Sequence, residues 1–389
     1  MAMAWRLGSH CRGLVRRPPL LSGPPQATTP SYRRLVAAVS RRDFAGGGGV
    51  PPSPPPGELV TDEARRAFRE DGVVCLRGAF DRSWIESLGA ATDAAIDAAA
   101  DNVDLEEYTR QGQEPGRFCA EMDCSRKYAD FQHFIFASPA AELAARVMDS
   151  KTASFFYDIL FVKEPGTPQR TVWHQDQGYW LIGGDDVCSI WLPLDPVPRA
   201  SCLEFVRGSH RSGIEYAPFR FADGSVYRGA EAMPRLPDVE GARGDFSIVG
   251  FDMLPGDCLV FDYRLLHSAP PVAAGAPRRR ALSTRWAGDS AVFSSATKCA
   301  QARESGYPNY ECGLTDGDPI AHSPAFPMLF PASLASPSSS PLDAYFAAGG
   351  LAGARRAELR GEALQLSPPT VQNFADVRRR QAQVYSADP

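Results

Sequence analysis

Residues 173–180, Trp-His-Gln-Asp-Gln-Gly-Tyr-Trp, are the stretch best equipped for chemistry. On an extended strand, side chains at i and i+2 point to one face, so His174 and Asp176 project together. One imidazole and one carboxylate supply two thirds of the facial triad that holds Fe(II) and leaves positions open for a substrate and oxygen. An H-x-D pair arises readily by chance in an Asp-rich chain with six histidines. The reading therefore depends on a third ligand, an anion anchor and a scaffold to hold them.

His267, in Leu265-Leu266-His267-Ser268, closes the strand expected to start at Cys258 and is the candidate third ligand. The alternative is a core histidine hydrogen-bonded at a strand end. Its competitors are weaker. His10 lies in the N-terminal segment, His322 beside a Pro/Ser-rich tail, His133 among aromatic residues that suggest packing, and His210 after a turn, where it would fix a loop. Arg278-Arg279-Arg280 lead into an apolar strand, Ala281 to Trp286. Charge entering a core needs a partner. A guanidinium matches a carboxylate with two parallel hydrogen bonds, so one of the three is a candidate anchor for a dicarboxylate cosubstrate. The other two read as a solvated loop end.

These residues need elements to position them. Thr61 can cap a helix through Arg69 that Gly72 ends, and Val73–Leu76 is a short apolar strand. Asp81 caps a second helix carrying Trp84, Ile85 and Leu88, and Ser138-Pro139 starts a third through about Met148. After Lys151 the texture changes to short β-type runs at 154–162, 171–180, 187–194, 203–206, 258–261 and 280–286, separated by Pro, Gly and Asp. The fold class expected is mainly β with flanking helices, around an antiparallel sandwich or jelly roll. Residues 211–250 read as a long insertion with little regular structure.

The ends differ from this body. Residues 1–42 hold eight arginines and no acid, as organelle transit peptides do, and mitochondrion is favoured over plastid. Gly46–Gly57 is a glycine run then a proline run and reads as a linker whose prolines exclude a helix start. Residues 323–340 are rich in Pro, Ser and Ala and read as loop, and Ala352–Leu366 has helical spacing on a tail. The domain plan is thus 1–57 leader and linker, 58–322 catalytic domain (helical layer 58–150, β core 151–290) and 323–389 tail.

Composition narrows the partners. Setting aside the eight leader arginines takes the net charge from −5 to −13 for the remainder, which argues against a nucleic-acid partner. No apolar run is long enough to span a bilayer. Nine cysteines without a C-x-x-C pair read as free, mostly buried thiols. Six tryptophans suit a pocket for a small-molecule substrate.

Several segments together resemble the phytanoyl-CoA dioxygenase family of Fe(II)/2-oxoglutarate oxygenases. They are Asp71-Gly72-Val73-Val74, His174-Gln175-Asp176, Cys188-Ser189-Ile190-Trp191, Leu203-Glu204-Phe205-Val206-Arg207-Gly208-Ser209-His210, Pro255-Gly256-Asp257, His267-Ser268-Ala269-Pro270 and Arg279-Arg280-Ala281-Leu282-Ser283. The resemblance covers about Glu58 to Asp289. It implies a double-stranded β-helix of the jelly-roll, cupin-like type, with Fe(II), 2-oxoglutarate and O2 as cofactor and cosubstrates. It implies His174, Asp176 and His267 as iron ligands and Trp191 in the 2-oxoglutarate pocket. The arginine on the distal carboxylate would be Arg279, which shares strand parity with Ala281 and Ser283, with Arg278 the other choice. Tyr179 and Trp180 would wall the substrate side. The segment Arg199-Ala200-Ser201-Cys202 departs from the Asn-Gly turn the family places before Leu203. The reaction implied is hydroxylation of an aliphatic C–H in a small metabolite or acyl substrate, releasing succinate and carbon dioxide, since family members that halogenate lack the carboxylate at position 176. The terminal Ser386-Ala387-Asp388-Pro389 is not a peroxisomal tripeptide. A zinc-dependent hydrolase and a non-catalytic ligand-binding jelly roll are the alternatives. The chain has neither H-E-x-x-H nor G-x-S-x-G, and a hydrolase leaves Arg279 without a task.

Overall fold

Thr61 starts the first long helix as its residue type demands, its Oγ1 accepting the Ala64 N–H, with Asp62 and Glu63 in the first turn. Gly72 closes that helix in the left-handed region (φ 84°), and a Cβ there would lie 2.5 Å from His210 Nδ1. Only glycine fits both constraints.

The computed structural model describes residues 52–97, 106–107, 116–221, 224–294 and 312–331. The helices are α1 (Pro56–Leu59), α2 (Asp62–Asp71), α3 (Arg82–Asp97), α4 (Cys124–Lys127), α5 (Ala129–Ala137) and α6 (Ala140–Met148). The strands begin with β1 (Val73–Leu76), β2 (Glu106–Glu107), β3 (Phe118–Met122), β4 (Ala153–Lys163), β5 (Thr171–His174), β6 (Ile182–Gly183) and β7 (Val187–Pro193). They continue with β8 (Glu204–Val206), β9 (Ile248–Val249), β10 (Cys258–Asp262), β11 (His267–Ala269), β12 (Arg279–Ala287), β13 (Val292–Phe293) and β14 (Met328–Phe330).

The larger sheet runs β1-β10-β7-β12-β4-β3-β2, with β14 also on β4, and the second runs β5-β11-β8-β9. Its pairings are antiparallel throughout, as in a jelly roll. Strand alternation sorts the faces of the larger sheet. Ile190, Leu192, Leu282 and Trp286 pack with Phe131, Phe134 and Leu143 of the helices. Trp191 and Ala281 face the other way and pack with Phe205 and Ala269 of the second sheet. The fold is mainly β with helices covering one face. Among the described residues no helix is long and apolar enough to cross a membrane, and Cys75, Cys119, Cys124, Cys188, Cys202, Cys258 and Cys312 are free thiols.

Several local expectations need correction. A helical turn does begin within the proline run, because Pro56 sits at the first helical position, where its missing N–H is not needed. Asp81 precedes α3, but its carboxylate accepts the Ser53 N–H at 2.6 Å. The helical layer also contains β3, whose residues Phe118–Ala120 are buried against β4. The strand expected over 171–180 stops at His174, and Gln177–Tyr179 form a 3-10 turn. His267 does not close the strand from Cys258. That strand ends at Asp262 and a turn carries the chain to β11 in the other sheet. Within the tail expected to be loop, β14 pairs with β4. The insertion has little regular structure, as expected: a Phe219–Val226 bridge, a 3-10 turn at Arg243–Asp245, and β9. The arginine-rich leader, residues 46–51 of the linker and the tail from 332, including 352–366, lie outside the described residues.

Between β3 and α4 the chain turns at Asp123 (φ 56°), which is 2% exposed and whose Oδ1 has no hydrogen-bond partner. Burial raises its pKa to about 7, with Arg126 opposing and Asp158 reinforcing the shift. A carboxyl with a raised folded pKa stabilises the fold fully below its unfolded value, and that contribution is lost as pH rises through the folded value. The window here runs from 3.8 to about 7. Asparagine tolerates the same backbone region. Chemical denaturation of Asp123→Asn is expected to show a gain of roughly 2 kcal/mol over wild type at pH 8 relative to pH 5. Parallel pH profiles for the two proteins would refute it.

Candidate active site

The two histidines meet because β5 and β11 are paired in register, His267 directly opposite His174. Their ring centroids are 4.2 Å apart. Each Nδ1 lies against a carbonyl two residues back, His174 on Val172 O at 2.8 Å and His267 on Leu265 O at 2.9 Å. A carbonyl only accepts, so Nδ1 carries a proton in both rings and Nε2 is the nitrogen left to ligate. Both Nε2 atoms face Asp176 Oδ1, at 3.7 Å and 3.8 Å. Asp176 arrives by a helical backbone turn (φ −70°, ψ −27°) and not by strand alternation. Ser189 Oγ on β7 donates to Asp176 Oδ2 at 3.3 Å, leaving Oδ1 to the histidines.

These three donors can hold one metal ion. All lie within 4.8 Å of one another and all three residues are buried. The nitrogen–oxygen separations are below the ~4.2 Å spanned by two metal–ligand bonds of roughly 2.1 Å. Burial, then the neighbouring His267, pushes the His174 pKa down to about 3, so the ring is neutral and ready to ligate at neutral pH. Rings enclose the pair. Phe261 lies 4.9 Å from His267, Phe221 4.9 Å from His174, and Tyr179 is edge-on to His174 at 6.2 Å.

The arginine run separates cleanly. Arg279 is 5% exposed and donates through Nη1 to Ser201 O, the carbonyl of the short 3-10 turn at 199–201 where the expected Asn-Gly is missing. Burial lowers its pKa to about 10, still charged at neutral pH. Arg278 pairs with Asp93 at 2.8 Å and Glu164 at 2.6 Å, and Arg280 with Asp195 and Asp93, both at 2.8 Å. They are half-buried and ion-paired, not solvated as expected, because α3 and the segments just after β4 and β7 supply carboxylates. Of the three, Arg279 alone has no carboxylate at ion-pair distance among the described residues.

Trp191 is buried beside Cys202, Leu203 and Ala281, opposite Ser283 of β12. Tyr179 donates its hydroxyl to Phe219 O at 2.9 Å and stacks on Phe221 at 5.5 Å. Trp180 is 1% exposed and stacks on Tyr263, so it belongs to the aromatic packing behind the site. His210 fixes a loop as expected, its Nε2 lying 3.0 Å from Arg69 O. His133 is exposed and rests on Trp84.

Three residues escaped the sequence reading. Ser189 had a signal, its parity with Trp191 on an apolar strand. Gln175 sits between two ligands, where its side chain donates to Ile214 O and Arg264 O and accepts the Tyr216 N–H. Lys163 is 1% exposed, sits directly opposite Arg279 across β4 and β12, and donates to Gln169 O and Ala269 O. Burial and Arg279 push its pKa well down.

The chain matches the family profile "Phytanoyl-CoA dioxygenase (PhyH)" over residues 68–281, more than half of its length. The chain belongs to the phytanoyl-CoA dioxygenase family. Membership makes it an oxygenase that uses iron, 2-oxoglutarate and O2. No curated protein matches it. Among solved structures it is similar to the non-heme alpha ketoglutarate dependent carbocyclase SnoK from nogalamycin biosynthesis, at TM-score 0.54 and 18% identity, covering 72% of this chain and 100% of that one. It is also similar to the epimerase SnoN in complex with Fe3+, alpha ketoglutarate and nogalamycin RO, at TM-score 0.51 and 20% identity, covering 70% and 99%. At these identities the likeness establishes the shared fold.

Removing the outer hydrogen bond to a ligand typically weakens metal affinity 10–100-fold. Ser189→Ala is expected to lower Mn(II) affinity by about tenfold on that basis, read by calorimetric titration, with the fold intact by circular dichroism. Unchanged affinity would show that Asp176 is positioned without Ser189.

Proposed function

We propose that this protein hydroxylates an aliphatic C–H of a small molecule, coupled to oxidative decarboxylation of 2-oxoglutarate to succinate and carbon dioxide. The observation that carries the reading is the buried triad of His174, Asp176 and His267, with both Nε2 atoms turned to one point. Two imidazoles and one carboxylate suit Fe(II), and three protein donors on one face leave coordination positions for cosubstrate and oxygen. When bound, the iron and 2-oxoglutarate supply the two-electron oxidation of an unactivated C–H.

The protein's own residues position, charge and enclose. Val172 and Leu265 carbonyls hold the imidazole protons on Nδ1. Ser189 orients Asp176. Arg279 offers a buried cation to the distal carboxylate of 2-oxoglutarate, and Lys163 on the neighbouring strand braces the Gln169 and Ala269 carbonyls beside it. Trp191 and the Phe205–Phe261 pair keep water from the region between that cation and the metal ligands. Tyr179 and Phe221 wall the other side. The aliphatic substrate is a free metabolite in preference to a coenzyme A thioester, since an acidic body with four lysines offers no obvious cradle for its phosphates. The leader, if cleaved on import, places the enzyme in an organelle, a mitochondrion ahead of a plastid.

Anaerobic titration with Fe(II) and then 2-oxoglutarate tests the reading through the weak visible charge-transfer band of the ternary complex. The band is expected in wild type and absent in His174→Ala. In Arg279→Gln it is expected to need roughly 100-fold more 2-oxoglutarate, about the worth of one buried charge-assisted pair. A folded wild type that binds the metal but gives no band at saturating 2-oxoglutarate would rule the oxygenase reading out.

A further inference from the structure

The inward face of β12 carries a second buried arginine that the proposed chemistry does not use. Arg285 sits where the pairing of β12 with β4 is irregular, but the pairing with β7 is unbroken, so it shares its face with Arg279, Ala281 and Ser283 and lies directly opposite Ser189 of β7. Opposed residues on neighbouring strands have Cβ atoms about 5 Å apart, and Ser189 is the residue bonded to Asp176. Arg285 therefore stands at the metal end of the strand, while Arg279 stands six residues away, roughly 20 Å of strand.

Arg285 is 4% exposed. Its guanidinium carbon lies 4.6 Å over the Tyr157 ring and 5.8 Å from that of Trp180. One nitrogen is used, Nη1 donating to Ser283 O at 2.5 Å. Nε is buried without a partner, and among the described residues Nη2 makes no hydrogen bond and no carboxylate lies at ion-pair distance. Asp158 and Asp123 act on it only from longer range, and Asp158 already accepts the N–H and hydroxyl of Ser125. Arg264, Arg278 and Arg280 by contrast each hold carboxylates.

A buried guanidinium with one edge unpaired is costly unless something else completes it. The edge left free, Nε–H beside Nη2–H, is the planar fork that meets both oxygens of a carboxylate. We infer that Arg285 binds the carboxylate of the primary substrate, an apolar carboxylic acid whose hydrocarbon part lies along the Tyr179–Phe221 wall beside the metal ligands. Phe221 is 40% exposed, which places the apolar wall at an opening to solvent. This rests on the oxygenase reading and narrows its substrate to a free acid, since an acyl thioester has no carboxylate to offer the fork at its acyl end.

The test is binding without turnover. Wild type and Arg285→Gln are loaded with Mn(II) and 2-oxoglutarate in chloride-free buffer. Octanoate and 3-phenylpropanoate are then titrated by calorimetry against octanamide and 3-phenylpropanamide. The expected result is a preference for acid over amide of at least tenfold in wild type that disappears in Arg285→Gln, with 2-oxoglutarate affinity unchanged. No preference in wild type, or a preference that survives Arg285→Gln, overturns the inference. If the Gln variant loses its near-UV circular dichroism, Arg285→Lys decides, because it keeps the charge over Tyr157 but lacks the fork. A preference reduced at least threefold then supports the assignment, and an unchanged one overturns it. Failure of the oxygenase reading appears separately, as no 2-oxoglutarate binding to the Mn(II) wild type. The acid–amide comparison is then scored on the Mn(II) protein alone.

Discussion

The register between β5 and β11 is the constraint on which the site depends. Pairing His267 with His174 puts two imidazoles side by side, and each ring is turned by a carbonyl of its own segment. A slip of one residue would send one of them to the opposite face of the sheet. The carboxylate has no such ladder. Asp176 follows the strand end and is held from the other sheet by Ser189. The metal centre thus exists only while both sheets are packed together, so the Phe205, Phe261 and Trp191 core between them is part of the site's geometry.

Charge is distributed in the opposite sense inside and out. The body is strongly acidic, yet the interior row of β12 and its neighbour β4 bury Arg279, Arg285 and Lys163. Outward-facing arginines on the same strand are matched by Asp93, Glu164 and Asp195. The two interior arginines meet backbone carbonyls, which satisfy protons without cancelling charge. Low dielectric strengthens what remains. Anions that reach this interior find positive potential that the surface does not offer.

Much of this was legible in the sequence, for reasons that differ between residues. Ligand chemistry made His174, Asp176 and His267 candidates, and the resemblance of the spaced segments to a known family joined them into a triad; Thr61, Gly72 and the strand cores were legible because caps and apolar runs are local signals. Arg279 was reached by strand parity, and the structure places it inside while Arg278 and Arg280 face acids. What was not legible depends on distant partners. No local pattern shows that 171–180 breaks after His174, that His267 begins a strand in the other sheet, or that Lys163 is buried opposite Arg279. Ser189 and Gln175 carry no charge and no metal-ligand chemistry, so only their contacts reveal them. Pro56 shows the reverse error: a residue taken as a breaker occupies the one helical position that suits it.

Gln175 lies between two metal ligands in sequence but turns its side chain outward, clasping the backbone at Ile214, Tyr216 and Arg264. At its far end the insertion is stitched back by Arg207 N–H to Ser247 O and by the β8–β9 pairing. Both fastenings engage main-chain atoms, which every residue but proline provides. The intervening residues are therefore free to drift through mutation while the metal centre stays as it is. Substrate range in such a scaffold can diversify by ordinary sequence change in one loop, with the oxidative machinery inherited intact.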